Sequence, residues 1–214
     1  MKIAIIGTGN VGSTLGRRLA EAKHDVIFIS RTACSDRAKQ LSEMPGVVGV
    51  VSHTDHVVSP GDVLIYAGPY DQAESYLRSA GDLSGVVLID CTNPLNATFT
   101  GLQLGHTESA GERMAQWAVG ARVVKAFNTT SVATMADPTY GEHVATQFYC
   151  GDDVEAKQVV ASLIADLGME PVDAGPLLNA RYLEATAMLY IHLAVRGGWG
   201  GNCALKMLRR KPGE

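Results

Sequence analysis

Residues 1–16 read MKIAIIGTGNVGSTLG, and this stretch decides the fold. Ile3, Ala4, Ile5 and Ile6 form an unbroken apolar run, the pattern of a central parallel strand covered on both faces. The chain then turns through Gly7-Thr8-Gly9-Asn10-Val11-Gly12, and Val11, Leu15, Leu19 and Ala20 follow at helical spacing. A helix that opens this way directs unpaired N–H groups and the positive end of its dipole at whatever occupies the turn. A pyrophosphate suits that place. Gly7 permits the tight turn, Gly9 lets backbone approach phosphate with no Cβ in the way, and Gly12 lets the helix pack closely on the strand. The motif alone is weak, but with a strand before it, a helix after it and a second strand at the right distance it points to a dinucleotide site rather than a purely structural turn.

That second strand, Val26-Ile27-Phe28-Ile29, ends at Ser30-Arg31-Thr32. An NAD site places Asp or Glu here to accept from the ribose 2′-hydroxyl, and such a carboxylate would repel a 2′-phosphate. Hydroxyls and a guanidinium are instead phosphate donors, so NADP(H) is the expected cofactor, with Ser35 as a further contact. A polar surface turn is the plainer alternative. Asp25 stands at the wrong end of the strand to read a ribose, and Asp36 lies beyond it.

Further strands are expected at 46–51, 62–67, 86–90, 122–127, 145–150 and 169–172, and helices at 36–42, 72–80, 108–118, 154–167 and 178–196. The βα alternation predicts an α/β fold: a Rossmann-like, doubly wound, mostly parallel sheet with a small C-terminal helical extension. The expected division is an NADPH-binding domain over 1–175 and a helical segment over 176–214 for the acceptor site and dimerisation.

Ligands of open α/β sheets sit at the carboxyl ends of the strands. Ala67, Gly68, Pro69 and Tyr70 are therefore expected to wall the cofactor, and Asn93 offers amide donors and an acceptor at the nicotinamide end. Asn128, Thr129, Thr130 and Ser131 make a polar floor for a planar redox ring, or equally a helix cap. Cys91 lies next to the site but reads as an inert apolar residue. His53-Thr54-Asp55-His56 resembles metal ligands superficially and reads as a polar surface segment; Asp152 and Asp153 read as capping residues. Arg181 and Glu184, three apart, suggest a helix-face ion pair. The last helix is apolar over much of its circumference, which predicts burial on more than one side and a homodimer. His192 within it reads as a core or interface histidine, and Trp199 covers a flat cofactor or plugs the interface.

With 214 residues, 46% of them apolar, the chain can bury a real core. A net charge of −4 gives no basic footprint for nucleic acid or an anionic membrane. No apolar stretch reaches the roughly 20 residues of a membrane span and no cleavable leader is evident, so the expected location is the cytoplasm. Cys34, Cys91, Cys150 and Cys203 are scattered, which fits reduced thiols rather than a disulfide framework or zinc site.

Several of these segments are similar to one family. GTGNVG at 7–12, ISRT at 29–32, VVKAFNTT at 123–130, YCGDD at 149–153 and DAGPLLNARYLE at 173–184 resemble the NADPH:coenzyme F420 oxidoreductases, and also the cytoplasmic domain of STEAP-type ferric reductases. The resemblance covers nearly the whole chain, and the last three segments are its more specific part. It implies that Thr8 to Val11 cradle pyrophosphate, that Ser30 and Arg31 hold the 2′-phosphate, and that Asn128, Thr130, Ser131 and Val132 line the meeting point of nicotinamide and acceptor. The archaeal enzymes carry a more apolar, proline-containing segment where this chain has Thr129-Thr130-Ser131, a departure that bears on the acceptor.

The expected activity is hydride transfer between NADPH and a deazaflavin (coenzyme F420) or flavin-like small molecule. No Ser-Tyr-x-x-x-Lys, His-Asp or paired-carboxylate constellation is evident, so no catalytic acid or base is named. The rival readings are a small imine or keto-acid reductase, and an NADPH-binding redox sensor without turnover.

Overall fold

The computed structural model describes residues 1–30, 32, 34–52 and 58–210; Arg31 and the 53–56 segment fall outside them. Its elements in chain order are β1 (Lys2–Ile6), α1 (Asn10–Glu21), β2 (Asp25–Ile29), α2 (Asp36–Ser42), β3 (Val47–Val51), β4 (Val63–Tyr66), α3 (Ala73–Ser79), β5 (Val87–Asp90), α4 (Ala110–Trp117), β6 (Arg122–Ala126), α5 (Val132–Ala136), β7 (Thr139–Tyr140), β8 (His143–Val144), β9 (Thr146–Gly151), α6 (Val154–Asp166), β10 (Glu170–Asp173) and α7 (Ala180–Val195). Eight strands form one sheet in the order β10-β9-β6-β5-β4-β1-β2-β3. All its pairings are parallel except β6 with β9, where Lys125 faces Cys150.

From β1 the chain winds outward through β2 to β3, then returns to place β4 on the other side of β1. The order reverses between β1 and β4, which opens a crevice at their carboxyl ends. Alternation along β1 feeds two cores. Ile3 and Ile5 join Leu15 and Leu19 of α1 and Val160 and Leu163 of α6, whereas Ala4 and Ile6 join Leu77 of α3 and Met114 and Trp117 of α4. Both faces of the sheet are thus covered, which is why the parallel strands are continuously apolar.

Helix starts follow the local chemistry. Ser35, Ser109, Ser131 and Asp153 each accept a backbone N–H three residues on, as N-caps of α2, α4, α5 and α6. Asp152 departs from the expected capping role, because its carboxylate accepts from Leu177 N at 2.9 Å and ties the β9 end to the approach of α7. Short α5 and the β7–β8 hairpin occupy residues 132–144, for which the sequence reading named no element. The expected helix over 72–80 begins as a 3-10 turn over Tyr70–Gln72 before α3.

The last helix, expected to be buried on more than one side with a second subunit covering one of them, is buried on one side within the single chain. Only one face, including Ala180, Leu183, Glu184, Ala187 and Tyr190, is buried, while Tyr182, Leu189 and Val195 stand exposed. No helix among the described residues is long and apolar enough to cross a membrane.

Candidate functional site

A cleft of about 710 Å³ opens at the carboxyl ends of β1, β2 and β4. It gathers Gly7, Thr8 and Gly9 from the glycine turn, Ser30 and Thr32 from the end of β2, and Ala67, Gly68 and Pro69 from the end of β4. Gln72 and Tyr76, which the pattern reading did not single out, also line it.

The three glycines are required for different reasons. Gly7 has φ +109°, and a Cβ on it would lie 2.7 Å from the Ala67 carbonyl oxygen. A Cβ on Gly12 would lie 2.0 Å from the Gly7 carbonyl oxygen, so α1 could not close on the turn. Gly9 is the informative one. Its φ of −69° and ψ of −172° suit any residue, and a Cβ there would meet no protein atom within 4 Å. The protein's own sterics give no reason for glycine at this position; a ligand drawn against the backbone does. Gly9 is also the N-cap of α1 and contributes no side-chain bond, so the helix presents uncapped N–H groups to the cleft with no acidic residue in its first turn. These features fit a pyrophosphate.

At the β2 end, Ser30 is buried and its Oγ accepts from Thr32 N at 3.3 Å, while Thr32 is exposed. Ser35 caps α2 by accepting from Ala38 N at 3.2 Å, which leaves its hydroxyl proton available to a ligand. Arg37 was missed by pattern reading. Its Nε donates to the Thr8 carbonyl oxygen and its Nη2 to Ser13 Oγ at 3.1 Å, which places a guanidinium over the glycine turn. A cation in the first turn of a helix works against the dipole, and that misfit is a signal readable from sequence.

Further along the edge, Tyr70 lies outside the cleft lining and tilts against Trp117 at 5.8 Å between ring centroids. Burial raises its phenol above the ordinary range. Asn93 and Asn128 pair reciprocally across the ends of β5 and β6. Asn93 Nδ2 donates to the Asn128 carbonyl oxygen at 2.9 Å, and Asn128 Nδ2 donates to Asn93 Oδ1 at 3.1 Å. The preceding Phe127, buried, has φ +62°, a left-handed conformation that a phenylalanine keeps only where its surroundings impose it. Asn128 Oδ1 and Thr130 Oγ1 are buried without a hydrogen-bond partner. Ser131 accepts from Thr134 N at 3.1 Å and donates to the Gly201 carbonyl oxygen at 2.6 Å, and Val132 starts α5. Of the two roles open to the 128–131 segment, the cap at Ser131 is directly visible.

Beneath Asn93 lies a buried ionic cluster. Lys125 is completely buried, with Nζ 2.7 Å from Asp90 Oδ2 and 2.9 Å from Glu184 Oε1. Burial pulls the Lys125 ammonium down, but Asp90 and Glu184 outweigh it and hold the proton firmly. Glu184 is pushed up by burial against the opposing pull of Lys125. This arrangement corrects the expected Arg181–Glu184 ion pair. Glu184 faces the core, where it also accepts from Ala110 N and Gly111 N, and Arg181 pairs with Glu112 at 2.6 Å. Cys91 and Cys150 are both buried; burial raises both thiols, Cys150 to about 12. Trp199 is 67% exposed.

A family profile described as NADP oxidoreductase coenzyme F420-dependent matches residues 2–94. The F420-dependent NADP reductase of Methanothermobacter thermautotrophicus is 32% identical over 211 residues, covering 92% of this chain and 90% of that protein. The chain belongs to the coenzyme F420-dependent NADP oxidoreductase family. It is accordingly an NADP-dependent oxidoreductase. A solved structure assigned as an F420-dependent NADP reductase, from Arthrobacter sp. FB24, superposes with a TM-score of 0.86 at 30% identity, covering 98% of this chain and all of that one. Rat metalloreductase STEAP3 is 30% identical over 185 residues, which span 86% of this chain but only 36% of that protein. An Aspergillus terreus reductive aminase solved with NADPH shares the fold at a TM-score of 0.68 and 20% identity, this chain covering 63% of it.

Proposed function

We propose that this member of the family transfers a hydride between NADPH and a deazaflavin of the coenzyme F420 type, or a flavin-like ring. The observation that carries the reading is the chemistry of the cleft. Among the described residues that line it there is no carboxylate, imidazole, ammonium or thiol; Tyr76 is its one titratable side chain. That lining suits the adenosine and pyrophosphate end of a dinucleotide, and hydride transfer between two rings, whose chemistry resides in the rings themselves, asks for no protein acid or base beyond it. When bound, NADPH supplies the hydride. The residues hold, orient and exclude water: Gly7 to Gly12 and the start of α1 receive the pyrophosphate, and Ser30, Thr32, Ser35, Arg31 and Arg37 receive the 2′-phosphate. Ala67, Gly68 and Pro69 wall the middle of the cofactor. Asn93 and Asn128, with Thr130, Ser131 and Val132, meet the nicotinamide and acceptor. Residues 176–214 form the acceptor side, and the exposed face of α7 carries a homodimer contact.

The deazaflavin is favoured over other acceptors because the relatives matched over nine-tenths of their length are named F420-dependent NADP reductases. Anaerobic NADPH oxidation is measured with coenzyme F420 and, in parallel, FMN, FAD and ferric chelates. Fast turnover with the deazaflavin supports the proposal. Turnover only with flavin or iron replaces the acceptor, and tight NADPH binding with no turnover replaces the reading by an NADPH sensor.

A further inference from the structure

The reading of the site gives no task to the buried cluster of Lys125, Asp90 and Glu184, yet its contacts converge on the strand end that carries Asn93. Asp90 Oδ1 accepts from Thr92 N at 2.8 Å, and Lys125 Nζ donates to the Thr92 carbonyl oxygen at 2.5 Å. Both backbone polar groups of Thr92 are therefore fixed by the cluster. The next residue is Asn93, whose amide pairs with Asn128, and Asn128 stands three residues after Lys125 on the neighbouring strand. Glu184 brings in α7 and, through Ala110 N and Gly111 N, the first turn of α4. An ammonium and two carboxylates, each no more than 1% exposed, thus tie the ends of β5 and β6 to two helices at one point.

Stability alone is a poor account of such a cluster, because buried ion pairs are commonly replaceable by apolar groups without loss. Thr92 Oγ1 is itself buried and unpartnered, so the loop is held by its backbone and not by its side chain. From this geometry we infer that Lys125 is a positioning residue for the proposed nicotinamide end: held by Asp90 and Glu184, it fixes Thr92 and so sets the Asn93–Asn128 amide pair. The inference rests on the assignment of that pair to the nicotinamide and is independent of which acceptor takes the hydride.

The test compares wild type with Lys125→Met and with the charge-neutral triple variant Asp90→Asn/Lys125→Met/Glu184→Gln. The triple variant avoids stranding buried carboxylates, and the amide that replaces the Asp90 carboxylate still offers an oxygen to Thr92 N. Folding is checked by circular dichroism, and affinities for NADP+ and for adenosine 2′,5′-bisphosphate are measured by calorimetry. The bisphosphate probes only the adenosine half, so the ratio of the two affinities reports how firmly the nicotinamide half is held. In a folded variant the bisphosphate affinity is expected to stay at the wild-type value while the ratio falls about tenfold or more. If the enzyme turns over, kcat is expected to fall about 10²-fold, the scale of an ångström-sized misplacement, with KM for NADPH changing far less. An unchanged ratio in a folded variant overturns the inference, as does parallel loss of both affinities. A wild-type ratio already near one overturns it by removing the nicotinamide from Asn93, and failure of both variants to fold assigns the cluster to the core alone. Absence of turnover by wild type with every acceptor counts against the hydride-transfer reading and leaves the affinity ratio to decide this one.

Discussion

Gly9 and its two neighbouring motif glycines separate cofactor binding from folding. Gly9→Ala introduces a methyl group that no protein atom meets, at a backbone conformation alanine adopts freely. Loss of unfolded-chain entropy, about 0.4–1 kcal/mol, then offsets the poorer N-cap that alanine makes for α1, so the free protein keeps about its original stability. The same methyl stands where the phosphate approaches, so thermal denaturation is expected to show a nearly unchanged midpoint while the NADPH titration shows a large loss of affinity. Gly12→Ala, with its Cβ driven to 2.0 Å from a carbonyl oxygen, is expected to lower the midpoint as well. Arg37 is a second residue-scale case. Arg37→Ala removes a charged donor beside the glycine turn, and the affinity for NADPH is expected to fall by about 1.5–3 kcal/mol with NADH far less affected. Arg31→Ala carries the same expectation, and equal losses for both nucleotides would refute the 2′-phosphate assignment. The placement of the motif glycines and Ser30 at one cleft was legible because it depends on a strand, a turn and a helix adjacent in sequence. For Arg37 the sequence offered only the misfit with the helix dipole; its partners Thr8 and Ser13 lie far away along the chain and were not legible.

At the scale of elements, α7 is joined to α4 by two carboxylates in opposite electrostatic situations. Glu112, on the outside, is held below the ordinary carboxylate range by hydrogen bonds from Arg181 and then Ser109. A group whose folded pKa is depressed adds stability above its unfolded value, about 4.3, and loses it as pH falls through the folded value. The Arg181–Glu112 pair is partly exposed, so solvent screens it and its contribution is modest. Urea denaturation between pH 6 and pH 3 is expected to show a shallower acid loss for Glu112→Gln than for wild type. Glu184, on the inside, meets the same first turn of α4 through Ala110 N and Gly111 N and is raised by burial. Sequence periodicity located both helices yet paired Arg181 with the wrong carboxylate. Spacing on one helix says which residues are neighbours on its surface, and it cannot say which neighbour turns inward to meet a lysine on another element. The signal for that was present in two misfits: Lys125 inside the apolar run 122–127, and Glu184 on the buried stripe of α7. Short α5 and the β7–β8 hairpin left no periodic trace because elements of two to five residues are too brief to show one.

For the whole molecule, the parallel part of the sheet was readable because both faces are covered and its strands are continuously apolar. The antiparallel turn at β9 was not, since a strand's direction leaves no mark on its composition. The exposed face of α7 is where the whole-molecule prediction belongs. Tyr182 and Leu189, seven residues apart, are 69% and 58% exposed, and Val195 near the helix end is 73% exposed. Leu189→Glu is expected to convert the proposed homodimer to monomer in sedimentation analysis without lowering the secondary-structure content. A wild-type protein that sediments as a monomer would refute the dimer. The chain's far end is bonded to the same sheet edge as the proposed acceptor site. Ser131 holds the Gly201 carbonyl oxygen, Thr146 N donates to the Leu205 carbonyl oxygen, and Lys206 pairs with Glu170 at 2.5 Å. With the acceptor seated against this segment, as proposed, its affinity and the order of residues 201–206 would be linked quantities, each raising the other by the same factor. Hydrogen exchange at the Thr146 amide becomes a gauge of occupancy, slowing as acceptor binds, and a chain clipped after Gly200 would forfeit grip on the acceptor while its hold on the adenosine half stayed intact.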